Sequence, residues 1–428
     1  MNPSFWYAAR YWVQAQCLSP LRTGGTGGDT ETVLTGPDGI CFLQGSSLAG
    51  AFRDWTASQM DEKTVNELFG APQTEGRLIF SDGKFDPDTR VGQRPRLRID
   101  RVTGTAAQGG KFDLAQVETG SRFAFEILWK GDAPCPEQQQ AIQAMLAAMN
   151  AGQIRLGAQK NNGLGRVQLA VSLQEFDMHQ PAQRRAWLEE TGEGRALPLQ
   201  AINSPRTSFV LEGRVEGLLV KAAAAQAKAD EKGSYTPNLE ENGVPVLPGS
   251  SIKGTIRSWS ERILKSNALP EKVTDELFGR SADSKQKGLA GKIRVEDLRM
   301  DQAQRRQISR IRINRFTGGV IRQGLMTEEP LSTPVRLELS VSQPSELEGA
   351  LLVYALRDLG LGLYSLGSGW AIGRGVMQAE VLTICQPDGT KATLFFKQGR
   401  ASRLEDPAGL VAKWMKAWKE NRLCDRNA

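Results

Sequence analysis

The chain has 428 residues, of which 40% are hydrophobic and 24% charged, and this length predicts two or three domains with full-sized cores. No apolar run approaches the roughly 18 residues of a membrane helix, and the first residues lack the features of a secretory signal, so we expect a cytoplasmic protein with no membrane partner. Lysine and arginine number 54 against 48 acidic residues, and the net charge of +6 is compatible with a polyanionic partner.

The cysteines and the histidine exclude several kinds of site. The five cysteines are scattered without a C-x-x-C pair, so neither a zinc knuckle nor a disulfide framework is indicated. His179 is the only histidine, which excludes a two-histidine ribonuclease and an H-E-x-x-H metalloprotease and argues strongly against a Ser-His-Asp hydrolase. Any catalysis must therefore use carboxylates, lysines, hydroxyls or a metal.

Four sequence landmarks occur twice, in the same order and at nearly the same spacing. They are GSSLAGAFRDW (45–55) and GSSIKGTIRSW (249–259), ELFG (67–70 and 276–279), RIDRVTG (98–104) and RINRFTG (312–318), and LGAQKNNGLG (156–165) and LGSGWAIGRG (366–375). The chain is therefore predicted to contain two copies of one domain. Repeat 1 covers residues 1–177, a polar linker 178–207, repeat 2 residues 208–385, and a C-terminal extension 386–428.

The elements of each repeat are predicted in the same order. A strand (RYWVQAQC; SFVLEGRVEG) leads through a polar loop to G-S-S and a helix, and period-two strands follow. A Gly-rich stretch, the closing loop, then precedes a last strand (RVQLAV; VMQAEVL). This mixture predicts an α+β fold with helices covering one face of a sheet. In the extension, the spacing of Leu410, Trp414 and Trp418 predicts an amphipathic helix.

The G-S-S motifs are candidate phosphate-binding sites. Free backbone amides, hydroxyls and the positive end of a helix dipole meet where a helix begins. Cationic residues follow within the helix, and the candidate residues are Ser46, Ser47, Arg53, Ser250, Ser251, Lys253 and Arg257. The alternative interpretation is that Ser46 and Ser250 are ordinary N-caps, although the duplication of the motif weakens it.

The closing loops are a second candidate. Glycines let a backbone approach a ligand closely, and neighbouring cations can neutralise phosphates. The candidate residues are Lys160, Gly163, Gly165, Arg166, Gly373, Arg374 and Gly375. The alternative is a tight turn between a helix and a strand, and neither loop matches a known nucleotide fingerprint.

Alternating arginines precede a predicted hairpin in each repeat. Arg96 and Arg98, like Arg310 and Arg312, would lie on one face of a strand. The hairpin of repeat 2 has apolar residues near its tip, namely Val320, Ile321, Leu325 and Met326. A basic face beside such a hairpin suits the gripping of a single RNA strand. The alternative is that the arginines are only solvated and that the hairpin packs on a neighbour.

Together these residues resemble the RAMP superfamily of CRISPR systems, and in particular the backbone subunits of type III effector complexes. The elements that carry the resemblance are G-S-S-[LI]-[KA]-G-x-x-R, ELFG, R-[IV]-[DN]-R-x-T-G and the closing loop, and two copies in tandem resemble the type III-D branch. The resemblance implies two ferredoxin-like, RRM-related domains, each with a protruding β-hairpin thumb. It also implies guide crRNA as partner, contacted by Arg98, Arg101, Arg312 and Arg315, beside other effector subunits.

The resemblance also implies cleavage of a complementary target RNA by an aspartate in the loop before G-S-S, with a divalent metal, expected to be Mg²⁺. In repeat 1 this residue is Asp29, the expected metal ligand, for which a simple turn residue is the alternative. The loop of repeat 2 departs from the pattern, and Asp230 is its nearest candidate. Repeat 1 has Ala49 where repeat 2 has Lys253, so one phosphate contact is missing or supplied elsewhere.

Three functions follow from this sequence. The first is an endoribonuclease subunit that binds guide RNA and cuts the target at one or two positions. The second is a structural subunit that binds the guide without cutting. The third, an endonuclease that matures the guide precursor, is weaker because such enzymes commonly use histidine and His179 lies in the linker.

Overall fold

The structure, a computed structural model, describes residues 5–24, 32–100, 106–222, 228–229, 233–235, 237–282 and 287–424. The chain forms two compact units. Unit 1 comprises Met1–Gln93, Leu114–Lys160 and Leu164–Asn203, and unit 2 comprises Arg94–Asp113, Asn161–Gly163 and Ser204–Ala428. Two short segments of repeat 1, residues 94–113 and 161–163, therefore belong to unit 2.

Repeat 1 and the linker contain the predicted strand, helix and hairpin elements. In chain order these are β1 (Tyr7–Cys17), β2 (Phe42–Leu43), α1 (Gly45–Gln59), α2 (Glu62–Phe69), β3 (Leu78–Phe80), β4 (Gly83–Phe85), β5 (Val91–Ile99), β6 (Ala106–Val117), β7 (Arg122–Gly131), α3 (Pro136–Asn150), β8 (Val167–Asp177), α4 (Pro181–Leu188) and β9 (Arg195–Ala196). A 3₁₀ turn at Lys160–Asn162 lies in the closing loop.

Repeat 2 and the extension continue the series. The elements are β10 (Arg206–Leu218), β11 (Lys228–Ala229), β12 (Gly233–Tyr235), β13 (Glu240–Glu241), β14 (Val244–Leu247), α5 (Gly249–Ser266), α6 (Lys272–Phe278), β15 (Ile293–Val295), β16 (Leu298–Arg299), β17 (Gln304–Arg305), β18 (Ile308–Ile313), β19 (Val320–Glu328), β20 (Leu331–Ser342), α7 (Glu346–Gly360), β21 (Val376–Cys385), β22 (Lys391–Lys397), β23 (Arg400–Glu405) and α8 (Leu410–Cys424). A 3₁₀ turn at Trp370–Ile372 occupies the closing loop.

Each unit is built on an antiparallel sheet of the same topology. In unit 1 the strand order is β2-β4-β7-β1-β8-β9, with β3 also paired to β7. In unit 2 it is β15-β20-β10-β21-β22-β23, with β17 also paired to β20. The first strand of each repeat lies between the last strand and the strand after the ribbon, as in a β-α-β-β-α-β ferredoxin-like fold. The predicted fold class is therefore confirmed.

Two helices of each repeat bury one face of its sheet. In unit 1, Phe52 of α1 and Ile142 of α3 share a core with Val13 and Ile127. The short helix α4 departs from the expectation of one covered face, since its Trp187 packs in a separate cluster with Phe176. The reason is local: alternate residues of a strand point to opposite faces, and β8 carries an apolar residue on its second face.

Glycine fixes where both G-S-S helices begin. A Cβ on Gly45 would lie 2.6 Å from Phe80 O of β3, and one on Gly249 would collide with Val295 O of β15. The first turn of each helix therefore packs directly on the neighbouring strand, which only glycine permits at these two positions.

The predicted hairpins are two β-ribbons. In repeat 1, β5 pairs with β6, and residues 101–105 between them lie outside the described residues. In repeat 2, β18 pairs with β19 in a four-stranded sheet of order β11-β12-β19-β18. We call these pairs ribbon 1 and ribbon 2.

The linker and the extension both contain regular secondary structure. The linker contains α4 and β9, and β9 pairs with β8 through Ser172–Ala196. The extension adds β22 and β23 to the sheet, and its predicted helix is α8. Leu410, Trp414 and Trp418 are buried as their spacing predicted, and Trp414 packs over Gly349 of α7.

Candidate nucleic-acid interface

The first amide of each G-S-S helix is bound by a carboxylate. Gly45 N donates to Asp82 Oδ1 at 2.7 Å, and Gly249 N donates to Asp297 Oδ1 at 2.7 Å. A carboxylate at this position satisfies a free N–H group and complements the helix dipole. These amides are therefore not free to bind a phosphate in either repeat.

The serines of the motif lie inside the first helical turn. The N-cap residues are Gln44 and Pro248, and neither makes a side-chain capping bond, so the interpretation of Ser46 and Ser250 as N-caps is wrong. The hydroxyl-bearing residues Ser46, Ser47 and Ser251 are exposed, whereas Ser250 is half-buried. What these helix starts present to a ligand is hydroxyl groups rather than the first amide.

The equivalent arginines of the two helices differ in what they contact. Arg257 forms ion pairs with Glu261 and Asp275, both at 2.9 Å, and donates to Gly279 O at 2.6 Å. Its charge is balanced inside unit 2, so its main role is to hold α5 against α6. Arg53 is exposed and forms no ion pair within the described part of the chain.

Lys253 is a half-buried cation with no carboxylate partner among the described residues. Its Nζ lies 3.4 Å from Ile293 O. Burial lowers the pKa of Lys253 to about 8, and the charges of Arg257 and Arg206 act in the same direction. An anion bound at this ammonium group would favour its charged form.

The terminal glycines of the closing loops are required by the turn. Gly165 has φ +81° and Gly375 φ +66°, and a Cβ at either position would collide with the carbonyl of Leu156 or Leu366. Leu156 N donates to Gly165 O and Leu366 N to Gly375 O, both at 2.9 Å. The tight turn therefore accounts for both glycines without a ligand.

The cations of the closing loops are partly covered. Lys160, Arg166 and Arg374 are half-buried, and Gly163 is buried while Gly373 is exposed.

Arg374 Nη2 lies 3.8 Å from Glu328 Oε2, and Arg310 pairs with the same carboxylate. Glu328, at the base of ribbon 2, therefore joins the closing loop to the ribbon.

In unit 1, the end of β1, the closing loop and the base of ribbon 1 meet. Arg22 Nη1 donates to Ala115 O at 2.9 Å, and Ala158 N donates to Arg22 O at 3.1 Å. Leu21 and Val117 exchange backbone hydrogen bonds of 2.9 and 2.8 Å. Buried Arg22 thus fixes three segments that the sequence analysis had treated separately.

The same three segments meet in unit 2. Ser368 N of the closing loop donates to Leu219 O, at the end of β10, at 2.9 Å. Asn238 is buried, and its side chain accepts from Val220 N at 3.1 Å and donates to Glu329 O at 2.6 Å. A neutral amide side chain here performs the joining role that Arg22 has in unit 1.

Asp29, the predicted catalytic residue and metal ligand of repeat 1, lies outside the described residues. The ends of its loop are described and held together, because Leu34 N donates to Thr23 Oγ1 at 3.1 Å. Thr23 directly follows Arg22, so the described ends of this loop lie where the three segments of unit 1 meet.

Asp230 also lies outside the described residues. The ends of its loop are joined by Ala222 N, which donates to Pro237 O at 3.0 Å beside the buried Asn238. Across the described part of the chain, no group of three or more His, Cys, Asp or Glu residues could hold a metal ion. The described residues therefore offer no complete metal site, and the divalent metal stays a prediction.

The ribbon arginines project from positions opposite glycines. Arg98 and Arg312 are exposed, and a Cβ on Gly110 would lie 2.9 Å from Arg98 Cβ and one on Gly324 3.2 Å from Arg312 Cβ. The register of ribbon 2 shifts between residues 311 and 313, and such a bulge re-aims a side chain. Arg312 therefore has room to reach a ligand.

The turn of ribbon 2 is exposed. Arg315 is exposed and Phe316 fully so. Of the apolar residues predicted near the tip, Val320 and Ile321 are exposed, whereas Leu325 and Met326 are half-buried. Arg101, the counterpart of Arg315 in repeat 1, lies outside the described residues.

The sequence analysis missed a buried ionic cluster in unit 2. Arg94 is 1% exposed and pairs with Asp297 (2.6 Å) and with Glu241. Burial alone would lower the pKa of Arg94, but the two carboxylates overcome it, so that the pKa is raised. The available signal was an aspartate after the same strand in both repeats, Asp82 and Asp297. The sequence around Arg94 carried no such signal, because the equivalent position in repeat 2 is Ile308.

None of the helices in the described part of the chain combines the length and hydropathy that a membrane-spanning segment requires.

Comparison with known families identifies both repeats. A model of the RAMP superfamily matches residues 14–168 and 232–378, which together make up well over half of the chain. A comparison with curated proteins gives no match. The family match covers the G-S-S helix, the ribbon and the closing loop of each repeat.

Proposed function

The chain belongs to the RAMP superfamily, whose proteins bind RNA and act in CRISPR complexes, and on this premise we propose that it is a backbone subunit of a type III effector complex. Its two domains, in tandem as in the type III-D branch, hold the guide crRNA beside other effector subunits. Its loops containing Asp29 and Asp230 cleave a complementary target RNA. The alternative function is that of a structural subunit that binds the guide crRNA without cutting the target RNA.

One observation carries this proposal. In each unit the closing loop, the ribbon base and the end of the first strand meet, and the described ends of the loop with the candidate aspartate lie at that point. Segments that contact RNA and a segment that cuts it must lie together, because a nuclease acts on the strand it positions. The duplication of this arrangement favours two equivalent sites.

RNA binding is assigned to the exposed cations of the ribbons, to half-buried Lys253 and the half-buried cations of the closing loops, and to the exposed hydroxyls of the G-S-S motifs. Arg98, Arg312 and Arg315 project from the ribbons, and Lys160, Arg166 and Arg374 lie in the closing loops. Such contacts recognise the sugar–phosphate backbone and carry no base specificity, which suits a subunit that must accept any guide sequence. Arg257 is left out of this set because two carboxylates, Glu261 and Asp275, balance its charge, whereas Arg374 stays in it because it shares the single carboxylate of Glu328 with Arg310.

Cleavage is assigned to Asp29 and Asp230. Bound at such a carboxylate, Mg²⁺ would stabilise charge on the phosphate or activate the 2′-hydroxyl. The contribution of the described residues is to hold the two ends of each loop beside the bound RNA strand.

The cleavage proposal is tested with Asp29→Ala, Asp230→Ala and the double variant in a reconstituted complex with guide and labelled target RNA. Each single variant should lose one cut, and the double variant all cuts that require Mg²⁺. Asp38→Ala and Asp301→Ala serve as matched controls, because both aspartates are exposed in the same repeats. Cleavage at every position in the double variant would support the structural subunit instead.

A further inference from the structure

The sheet of unit 1 has a second face, opposite α1 and α3. Alternate residues of a strand point to opposite faces, so Trp12 of β1 lies on this face while its neighbour Val13 points into the core. Near one end of the sheet, Trp187 of α4 covers the second face by packing on Phe176 of β8. Trp12, in the middle of β1, is 45% exposed. The centre of the second face is therefore open to solvent.

The hydrogen-bond register of the sheet shows what surrounds Trp12. Directly opposite it lie Glu126 of β7 and Ser172 of β8. The next row of the same face, two residues along each strand, consists of small or polar side chains, namely Ala124, Gln14 and Ala170. Among the described residues, the indole makes no aromatic contact and no hydrogen bond. The exposed part of the ring is therefore free to contact a ligand.

Two cations stand beside this open part of the face. Lys84 of β4 lies opposite Ala124, and Arg122 lies two residues before Ala124 on β7. Both cations are exposed, and neither forms an ion pair within the described part of the chain. Glu126, the acidic residue beside the ring, is paired with Arg10 at 3.3 Å, so its charge is balanced. The surroundings of the ring therefore favour an anionic ligand.

The second face of unit 2 has no tryptophan at the equivalent place. Val210 of β10 lies opposite Glu338 of β20, as Trp12 lies opposite Glu126. Val210 is half-buried. The exposed aromatic ring is therefore a property of repeat 1 alone and not a consequence of the shared fold.

The row beside Val210 also differs from the row beside Trp12. In unit 2 this row contains Glu212 and Arg336, which form an ion pair, and Arg336 also pairs with Glu338 at 2.8 Å. In unit 1 the equivalent positions are Gln14 and Ala124, which carry no charge. An ion-pair network thus occupies in repeat 2 the space that repeat 1 leaves open.

The open patch has the chemistry of a single-stranded RNA site. Aromatic rings stack on bases of any sequence, and cations beside them neutralise the phosphates. Gln14 and Gln168 are exposed on the same face, and their amides can donate to and accept from base edges. A protein partner would instead be expected to bury an apolar core around the tryptophan, but the neighbours of Trp12 are small or polar.

We propose that Trp12 stacks on an unpaired base of single-stranded RNA, with Lys84 and Arg122 at the adjacent phosphates. The site lies on the face of the sheet opposite the G-S-S helix α1, so it is separate from the guide interface proposed above. The inference rests on the proposed function only in taking RNA as the ligand. The base belongs to an unpaired stretch of either the guide or the target.

The first experiment measures affinity with Trp12→Ala, Trp12→Leu and Trp12→Phe in the full chain. A labelled single-stranded RNA oligonucleotide of mixed sequence is titrated at several salt concentrations and followed by fluorescence anisotropy. Val210→Ala is the matched control, because Val210 holds the equivalent position in repeat 2. Circular dichroism verifies that all variants fold.

We expect Trp12→Ala and Trp12→Leu to weaken binding by about fivefold to a hundredfold, and Trp12→Phe to retain most of the affinity because it keeps an aromatic ring. The slope of log affinity against log salt should not change in these variants, since stacking releases no counterions. Lys84→Ala should lower that slope by about 1, and Val210→Ala should bind as the wild type does.

The second experiment locates the contact directly. RNA containing 5-iodouridine is bound, irradiated and analysed by mass spectrometry, and a cross-link at Trp12 is expected that Trp12→Leu abolishes. In a reconstituted complex, placing the iodinated base in the guide or in the target identifies the strand that supplies the unpaired base.

Two results would overturn the inference. The first is wild-type affinity in Trp12→Ala with no cross-link at Trp12. The second is wild-type affinity in Trp12→Leu with a loss in Trp12→Ala, which would make the ring an apolar anchor for another protein.

The inference and the proposed function fail separately. A cross-link at Trp12 with unchanged binding in Arg312→Ala would count against the proposed guide interface and leave the Trp12 site standing. Weaker binding in Arg312→Ala with no contact at Trp12 would do the reverse.

Discussion

Replacing Arg94 by alanine should destabilise unit 2 at two places that are distant in sequence. Arg94 is 1% exposed and its partners Glu241 and Asp297 have side chains 5% and 6% exposed, so all three charges are buried together. The same Asp297 carboxylate binds Gly249 N at the start of α5. Without Arg94, both carboxylates stay buried and lose their close guanidinium contact, while Arg299 still lies 3.9 Å from Glu241.

The size of the effect follows from this burial. Removing one partner of a buried ion pair costs about 3–5 kcal/mol, whereas an exposed pair contributes roughly 0–1 kcal/mol. Arg336 supplies a matched control in unit 2, because it also pairs with two carboxylates, Glu212 and Glu338, but is exposed. Arg336→Ala should therefore change stability little.

Hydrogen exchange measures the difference locally. A loss of ~3 kcal/mol corresponds to roughly a hundredfold increase in the opening equilibrium. Amides of residues 240–250 and 293–299 should exchange about that much faster in Arg94→Ala and at nearly the wild-type rate in Arg336→Ala. Arg94→Lys should recover only part of the loss, because one ammonium group cannot reproduce the two-sided contact of the guanidinium.

If these amides exchange at the wild-type rate in Arg94→Ala, this account is refuted. Equal acceleration by Arg94→Ala and Arg336→Ala would also refute it, because burial would then have no bearing on the cost. Either result would show that the buried cluster of Arg94, Glu241 and Asp297 does not stabilise unit 2.

Three further predictions follow. Burial lowers the pKa of Lys253 from 10.5 to about 8, so RNA affinity should fall as the pH rises through 8 and should depend less on pH in Lys253→Arg. Because the unfolded chain binds this proton more tightly than the folded one, the free energy of unfolding should rise between pH 8 and 10.5. Denaturant titrations should show that Lys253→Met abolishes this rise. Arg312→Ala should weaken binding of single-stranded RNA of any sequence and reduce the slope of log affinity against log salt by about 1. Fluorescence anisotropy measures both, with Arg336→Ala as the control, and an unchanged slope would remove Arg312 from the interface. Trp414→Ala should lower the free energy of unfolding of unit 2, measured by thermal unfolding, by about 3–5 kcal/mol, because Trp414 is buried over Gly349. Lys416→Ala in the same helix should lower it little, and equal melting temperatures of the two variants would show that α8 does not stabilise the unit.

Much of the fold is determined by local sequence. The alternation of apolar residues predicts β1 and β10, and the spacing of Leu410, Trp414 and Trp418 predicts α8, because burial of one face imposes a period of 2.0 on strands and 3.6 on helices. The duplicated landmarks likewise indicate two copies of one fold, since the same local sequence folds in the same way twice.

The roles of individual charged residues were decided only by tertiary structure. Arg257 looks like a free cation in its helix, yet Glu261 and Asp275 balance its charge. Arg94 looks like one more ribbon arginine, yet it is buried against Asp297, which lies 203 residues away in the chain. A periodic pattern reports which face of an element is buried, but the partner of a charge depends on which distant segments the fold brings within hydrogen-bonding distance. In this protein that second kind of information separates the cations that hold the fold together from those that stay available for the proposed RNA contacts.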